Sequence, residues 1–126
     1  MRILIVDDSE VFVKVTSQII SDLGIKGILT AFSGEEALSK IDQQEDKGEP
    51  VDLVLLDVMM PGIGGIEALN RIKSKYPNKR VFMISANKNT EDIMKAYKED
   101  CDGYLLKPVK PEQMKRIINK VSNDGP

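Results

Sequence analysis

Residues 51–65 read VDLVLLDVMMPGIGG: a run of Val and Leu ends on Asp57 and gives way to a loop of Met59, Met60, Pro61 and Gly62. Val51, Leu53, Val54, Leu55 and Leu56 show no in/out alternation, the pattern of a strand covered on both faces, as in parallel sheets flanked by helices. In such sheets the ligand crevice lies beyond the carboxyl ends of the strands. Asp57 is therefore expected at the mouth of a crevice, on a rigid element. An Asp at a strand end also serves as an ordinary turn former, so its meaning depends on what else reaches the same edge.

Working outward, the same pattern recurs. Residues 2–6, RILIV, form a short apolar run that ends on Asp7 and Asp8. Residues 80–85 end on Ser85, followed by small Ala86 and a polar loop, and residues 103–106 end on Lys107 and Pro108. Residues 27–32 read as the remaining strand. Helical spacing fills the intervals. Ser9 is placed as an N-cap for a stripe of Val11, Phe12, Val15, Ile19, Ile20 and Leu23 that stops at Gly24. Ser33 to Glu36 form a capping box before Ala37, Leu38 and Ile41. Ile66, Leu69 and Ile72 mark the third helix. Ile93, Met94, Ala96 and Tyr97 are expected inward on the fourth, with Asp100 as its left-handed stop. Met114, Ile117, Ile118 and Val121 line the last. Five strands alternating with five helices over short connections predict an open parallel α/β sheet with right-handed crossovers and helices on both faces.

A chain of 126 residues fits one domain, read as residues 1–122 with a tail at 123–126, and with fraying expected from Ser122 onward. The net charge is −2 with both signs mixed along the chain, so no basic face for direct nucleic-acid binding is expected. No stretch approaches the ~20 apolar residues that a bilayer span needs, which argues against membrane insertion. A single cysteine, Cys101, and an N-terminus interrupted by Asp7 and Asp8 predict a reducing, cytoplasmic setting. Histidine is absent. Any chemistry must use carboxylates, hydroxyls or lysine.

Four strand ends thus bring Asp7 with Asp8, Asp57, Ser85 and Lys107 to one edge. Each alone has an ordinary explanation: a helix cap, a turn, a solvated lysine. Together they strain it, because carboxylates about 5 Å apart repel by roughly 3 kcal/mol per pair at an effective dielectric near 20. Such a cluster must bind protons or a cation. An all-oxygen site with few protein ligands suits Mg²⁺. With Lys107 as a point charge and Ser85 as a neutral donor, the remaining ligand is most simply a phosphoryl group, and Asp57 is the candidate nucleophile.

These motifs (Asp7-Asp8, then Asp57-x-x-Met60-Pro61-x-x-Gly64-Gly65, Ser85-Ala86 and Lys107-Pro108) resemble the receiver domain of two-component response regulators, over residues 3–121. The resemblance implies a flavodoxin-like (βα)5 fold with strand order 2-1-3-4-5. It further implies that Asp57 is the phosphoacceptor, and that Asp8, Asp57 and the backbone carbonyl of Met59 bind Mg²⁺ or Mn²⁺, with Asp7 holding a metal-bound water. Lys107 would pair with the phosphoryl oxygens, Ser85 would shift to bond them, and Tyr104 would turn inward into the space vacated. A cis Lys107-Pro108 bond is implied as well. The sequence departs from the family at Gly64, commonly Asp, and at Asp100-Cys101, commonly Gly-Ala. Neither change falls on the expected site.

The expected function is a phosphorylation-dependent switch, not an enzyme acting on external substrates. It would take a phosphoryl group from a sensor histidine kinase or a phosphotransfer protein, lose it slowly by its own chemistry, and signal to a protein target through the face of the fourth helix, fifth strand and last helix. Three alternatives stand beside it. One is a small phosphohydrolase with an aspartyl-phosphate intermediate, although an acid two residues after the nucleophile is replaced by Met59. Another is a receiver-like scaffold that binds partners without phosphorylation. The third is the receiver portion of a truncated DNA-binding regulator.

Overall fold

The computed structural model describes residues 1–123. Five parallel strands, β1 (Arg2–Val6), β2 (Gly27–Ala31), β3 (Leu53–Asp57), β4 (Arg80–Ser85) and β5 (Gly103–Leu106), form one sheet in the order β2-β1-β3-β4-β5. Helices α1 (Glu10–Asp22), α2 (Gly34–Asp46), α3 (Gly64–Lys75), α4 (Thr90–Lys98) and α5 (Pro111–Asn123) follow them in turn. The strand order matches the one implied by the resemblance.

Alternate residues of each central strand feed two separate cores. On one face Leu4, Val6, Val54, Leu56, Val81 and Met83 pack with Ala37 and Ile41 of α2, Ala68, Leu69 and Ile72 of α3 and Ala96 of α4. On the other, Ile3, Ile5, Leu53, Leu55, Phe82 and Ile84 pack with Val13 and Ile20 of α1 and Met114, Ile117, Ile118 and Val121 of α5. This two-sided burial is why the strands lack polar alternation. It also anchors the strand ends, since β1 and β3 run in register with Val6 beside Leu56.

Two glycines shape the loop beyond β3. At Gly65 an added Cβ would lie 2.0 Å from the carbonyl oxygen of Asp57, so only glycine lets the start of α3 close against the strand. Gly62 has φ +83°, and an added Cβ there would meet the Glu35 carboxylate at 2.6 Å.

The structure corrects several helix faces and ends. On α1 the buried stripe is Val13, Thr16 and Ile20, while Val11 and Val15, expected inward, are exposed. On α4 only Ala96 is buried, and Met94 and Tyr97 lie on the surface. With apolar residues on both sides of each helix, the 3.6-residue period alone does not choose the face; the distance to the sheet does. β2 ends at Ala31 and leaves Phe32 exposed. Helix α5 continues through Asn123, so Ser122 and Asn123 are helical; the rest of the expected tail, residues 124–126, lies outside the described residues. Asp100 has φ +66°, the left-handed stop expected from the sequence.

Candidate functional site

The ends of β1, β3, β4 and β5 meet at one edge. Asp7 follows β1 directly and is completely buried; its N–H donates to the carbonyl of Ala31 at 3.1 Å. Asp8, next in the chain, is exposed. Asp57 closes β3 in register with Ile84 and is only 4% exposed. Oxygens of Asp7, Asp8 and Asp57 all lie within 4.8 Å of one another.

Lys107 reaches back over these acids from the end of β5. Its N–H donates to the carbonyl of Ser85 at 2.8 Å, and its Nζ lies 2.6 Å from Asp7 Oδ2 and 3.6 Å from Asp57 Oδ1. The Asp7 contact is an ion pair without the angles of a directed hydrogen bond. The peptide bond from Lys107 to Pro108 is cis, as the resemblance implies, and Pro108 is exposed. The ring centroid of Phe12, from the first turn of α1, stands 4.6 Å from the ammonium. The sequence reading assigned Phe12 only to core. With 94 residues between Phe12 and Lys107, no local pattern links them.

Burial first, and then the charge of Asp7, push the Asp57 carboxyl up to about 6. Lys107 and a hydrogen bond from the Met59 backbone pull the other way, and Asp8 adds a smaller upward push. The site thus holds a buried carboxylate whose charge is only partly compensated. Its donors are hard oxygens, gathered at one point and partly shielded from water, and they fit a small divalent cation.

Ser85 is buried, but its hydroxyl is engaged within its own loop: it donates to the carbonyl of Asn87 at 2.9 Å and accepts from the Asn87 N–H at 3.1 Å. Here it closes a turn. Tyr104, opposite Met83 in the sheet, packs against the core that α2, α3 and α4 cover. Its hydroxyl is buried and has no hydrogen-bond partner among the described residues. The ring therefore already points inward in this structure. The Met59 side chain is exposed at the rim, 69% accessible, while its backbone contacts Asp57.

A second set of buried charges lies at the opposite, amino-terminal edge, around a cleft of about 1020 Å³. Lys79, only 8% exposed, is held by Glu45 at 2.7 Å and the Val51 carbonyl at 2.8 Å, over the ring of Tyr76. Lys73 pairs with Asp102 at 2.9 Å. These cations tie loops to α2 and α3 and are neutralised by their partners. The cleft is remote from the acidic edge, and its groups are structural.

The family model for the response regulator receiver domain matches residues 3–119. The chain is 30% identical over 121 residues to the chemotaxis protein CheY of Thermotoga maritima, covering 96% of this chain and 97% of that protein. It is 31% identical over 123 residues to the nitrate/nitrite response regulator NarL of Escherichia coli K12, covering 95% of this chain but 54% of NarL. Other curated relatives are longer still, and the chain spans 7% and 30% of two of them. Among solved structures, the CheX-CheY-BeF3-Mg complex from Borrelia burgdorferi superposes with a TM-score of 0.87 at 32% identity, covering 97% of this chain and 89% of that one.

Proposed function

Because the chain belongs to the response regulator receiver domain family, and so is a phosphorylation-dependent switch of two-component signalling, we propose that Asp57 is its phosphoacceptor. The observation that carries this assignment is the position of Asp57. It is a buried carboxylate at the end of the central strand, with Asp7, Asp8 and Lys107 converging on it.

In the transfer, an Asp57 oxygen forms a bond to phosphorus as the bond to the donor breaks; with a phosphohistidine donor the imidazole nitrogen leaves with the electron pair. A nucleophile held near 6 is ionised at neutral pH yet poorly solvated, which leaves its lone pair available. Lys107 moves from the acids to the phosphoryl oxygens and offsets their charge. Asp8, Asp57 and the Met59 carbonyl would hold Mg²⁺ or Mn²⁺, with Asp7 orienting a bound water. When present, the cation neutralises charge on the transferring group.

The donor proposed is a sensor histidine kinase or a phosphotransfer protein. Once Asp57 carries the phosphoryl group, Ser85 exchanges its turn to Asn87 for a bond to the new oxygens, and Tyr104 repacks beside it. The output surface is then the α4-β5-α5 face, where Met94, Tyr97 and Leu106 lie exposed. The chemistry proposed is confined to the protein's own aspartyl-phosphate, in a reducing cytoplasmic setting. A phosphohydrolase acting on outside substrates needs an acid near the leaving group, and position 59 offers a thioether. No helix among the described residues is long and apolar enough to cross a membrane.

The test is incubation with phosphoramidate, followed by intact-mass analysis. One phosphoryl group is expected with Mg²⁺ and none with EDTA. Labelling that is indifferent to EDTA would contradict the reading.

A further inference from the structure

The ammonium of Lys107 is held on two sides by one short piece of chain. Asp7 Oδ2 lies 2.6 Å from Nζ, and the Phe12 ring centroid lies 4.6 Å from it, within the range where an ammonium is attracted to an aromatic face. Ser9 ties down the Asp7 carboxylate and the backbone of Phe12. Its N–H donates to Asp7 Oδ1 at 2.9 Å, and its hydroxyl accepts from the Phe12 N–H at 3.2 Å as the cap of α1. The carboxylate and the backbone that carries the ring are thereby held in one turn beside a lysine from much later in the chain.

The two contacts differ in how they respond when phosphate arrives. The Asp7 pair must open before Lys107 can turn to the phosphoryl oxygens. The ring carries no charge, makes no directional bond, and attracts the ammonium across its whole face. It can hold Nζ during the move without competing for it, and it restricts a four-carbon stem that would otherwise sample many rotamers.

We propose that Phe12 is a positioning residue for phosphoryl transfer, acting through Lys107 by keeping the ammonium over the strand ends as it leaves Asp7. This rests on the reading of Asp57 as phosphoacceptor. With phosphoramidate, a phosphorus–oxygen bond forms at Asp57 while the phosphorus–nitrogen bond breaks, and ammonia departs with the electron pair.

The experiment compares wild type, Phe12→Leu, Phe12→Tyr and Asp57→Asn, labelled by phosphoramidate in saturating Mg²⁺. Phe12→Leu keeps apolar volume but loses the aromatic face. It should label roughly three- to tenfold more slowly, bind Mg²⁺ within about twofold of wild type, and lose the upfield ring-current shift of the Lys107 ε-methylene protons. Phe12→Tyr should restore both rate and shift. A Phe12→Leu protein that labels at the wild-type rate overturns the proposal. So does a Phe12→Tyr protein that regains the shift without the rate. If Asp57→Asn labels undiminished, the underlying assignment fails; if Asp57→Asn is silent while Phe12→Leu is fast, only the positioning role does.

Discussion

Lys107 Nζ sits 2.6 Å from Asp7, a carboxylate with no exposed surface. The 3.6 Å separation from Asp57 is a looser contact. Before phosphorylation, the lysine thus serves chiefly to neutralise a buried acid. Lys107→Met should leave Asp7 uncompensated and lower the stability of metal-free protein by about 2 kcal/mol at pH 7.5, below the roughly 3–5 kcal/mol of a fully buried pair because the lysine is 21% exposed. Urea unfolding in EDTA measures this. Unchanged stability would mean that the pair contributes nothing.

The raised carboxyl of Asp57 makes a pH-dependent prediction of the less common sign. Its folded value of about 6 lies above the ordinary 3.8, so between about pH 4 and 6 the folded state holds a proton that the unfolded state has released. Stability contributed by that proton falls as pH rises through this window. Asp57→Asn removes the penalty. The variant should be more stable than wild type by about 2–3 kcal/mol at pH 7.5 in EDTA, with the gain shrinking as pH drops from 6 toward 4. A gain that stays constant from pH 4 to 7.5 would place its origin elsewhere.

Much of this site was legible because chemistry and fold share one signal. Strands covered on both faces read as unbroken apolar runs, and the residue that interrupts each run, Asp7, Asp57, Ser85 or Lys107, is the one the sheet delivers to its carboxyl edge. The Asp100 stop was readable for a similar local reason, as a residue suited to a left-handed backbone. Long-range pairings were not. Lysine reads as solvent-exposed by default, so the burial of Lys79 against Glu45 and of Lys73 against Asp102 gave no pattern along the chain. Phe12 belongs to the apolar content of α1 whether or not a lysine arrives above it. The outward turn of Val11, Val15, Met94 and Tyr97 is set by how each helix is laid on the sheet, which periodicity does not encode. Ser85 was found at the right edge, but its bonds to Asn87 are the ordinary turn that its residue type also suggests.

Phosphoryl lifetime should depend on Met59. Its side chain stands exposed at the rim of the site, where a thioether offers an attacking water only a weak acceptor and a bulky obstacle. Met59→Asn should shorten the lifetime of the aspartyl-phosphate, with each tenfold in rate equal to about 1.4 kcal/mol of barrier. Mg²⁺ affinity should barely change, because the metal would use only the backbone carbonyl there. A longer lifetime, or a severe loss of Mg²⁺ binding, would contradict that role.

Switching should be visible far from the metal. Ser85 must release Asn87 to reach a phosphoryl group, which frees the loop into α4, and Tyr104 carries a buried hydroxyl with no described hydrogen-bond partner beside the same core. On addition of beryllofluoride and Mg²⁺, amide shifts should spread over residues 87–104. Changes confined to residues 7, 8, 57 and 59 would indicate a site without a switch.

The most direct test of the central claim is the location of the phosphoryl group. After phosphoramidate treatment in Mg²⁺, borohydride reduction converts an aspartyl-phosphate to homoserine, and peptide mapping reads its position. The account predicts homoserine at position 57 alone in wild type and none anywhere in Asp57→Asn. Homoserine at position 7 or 8 of the wild-type protein, or continued labelling of Asp57→Asn, would contradict it.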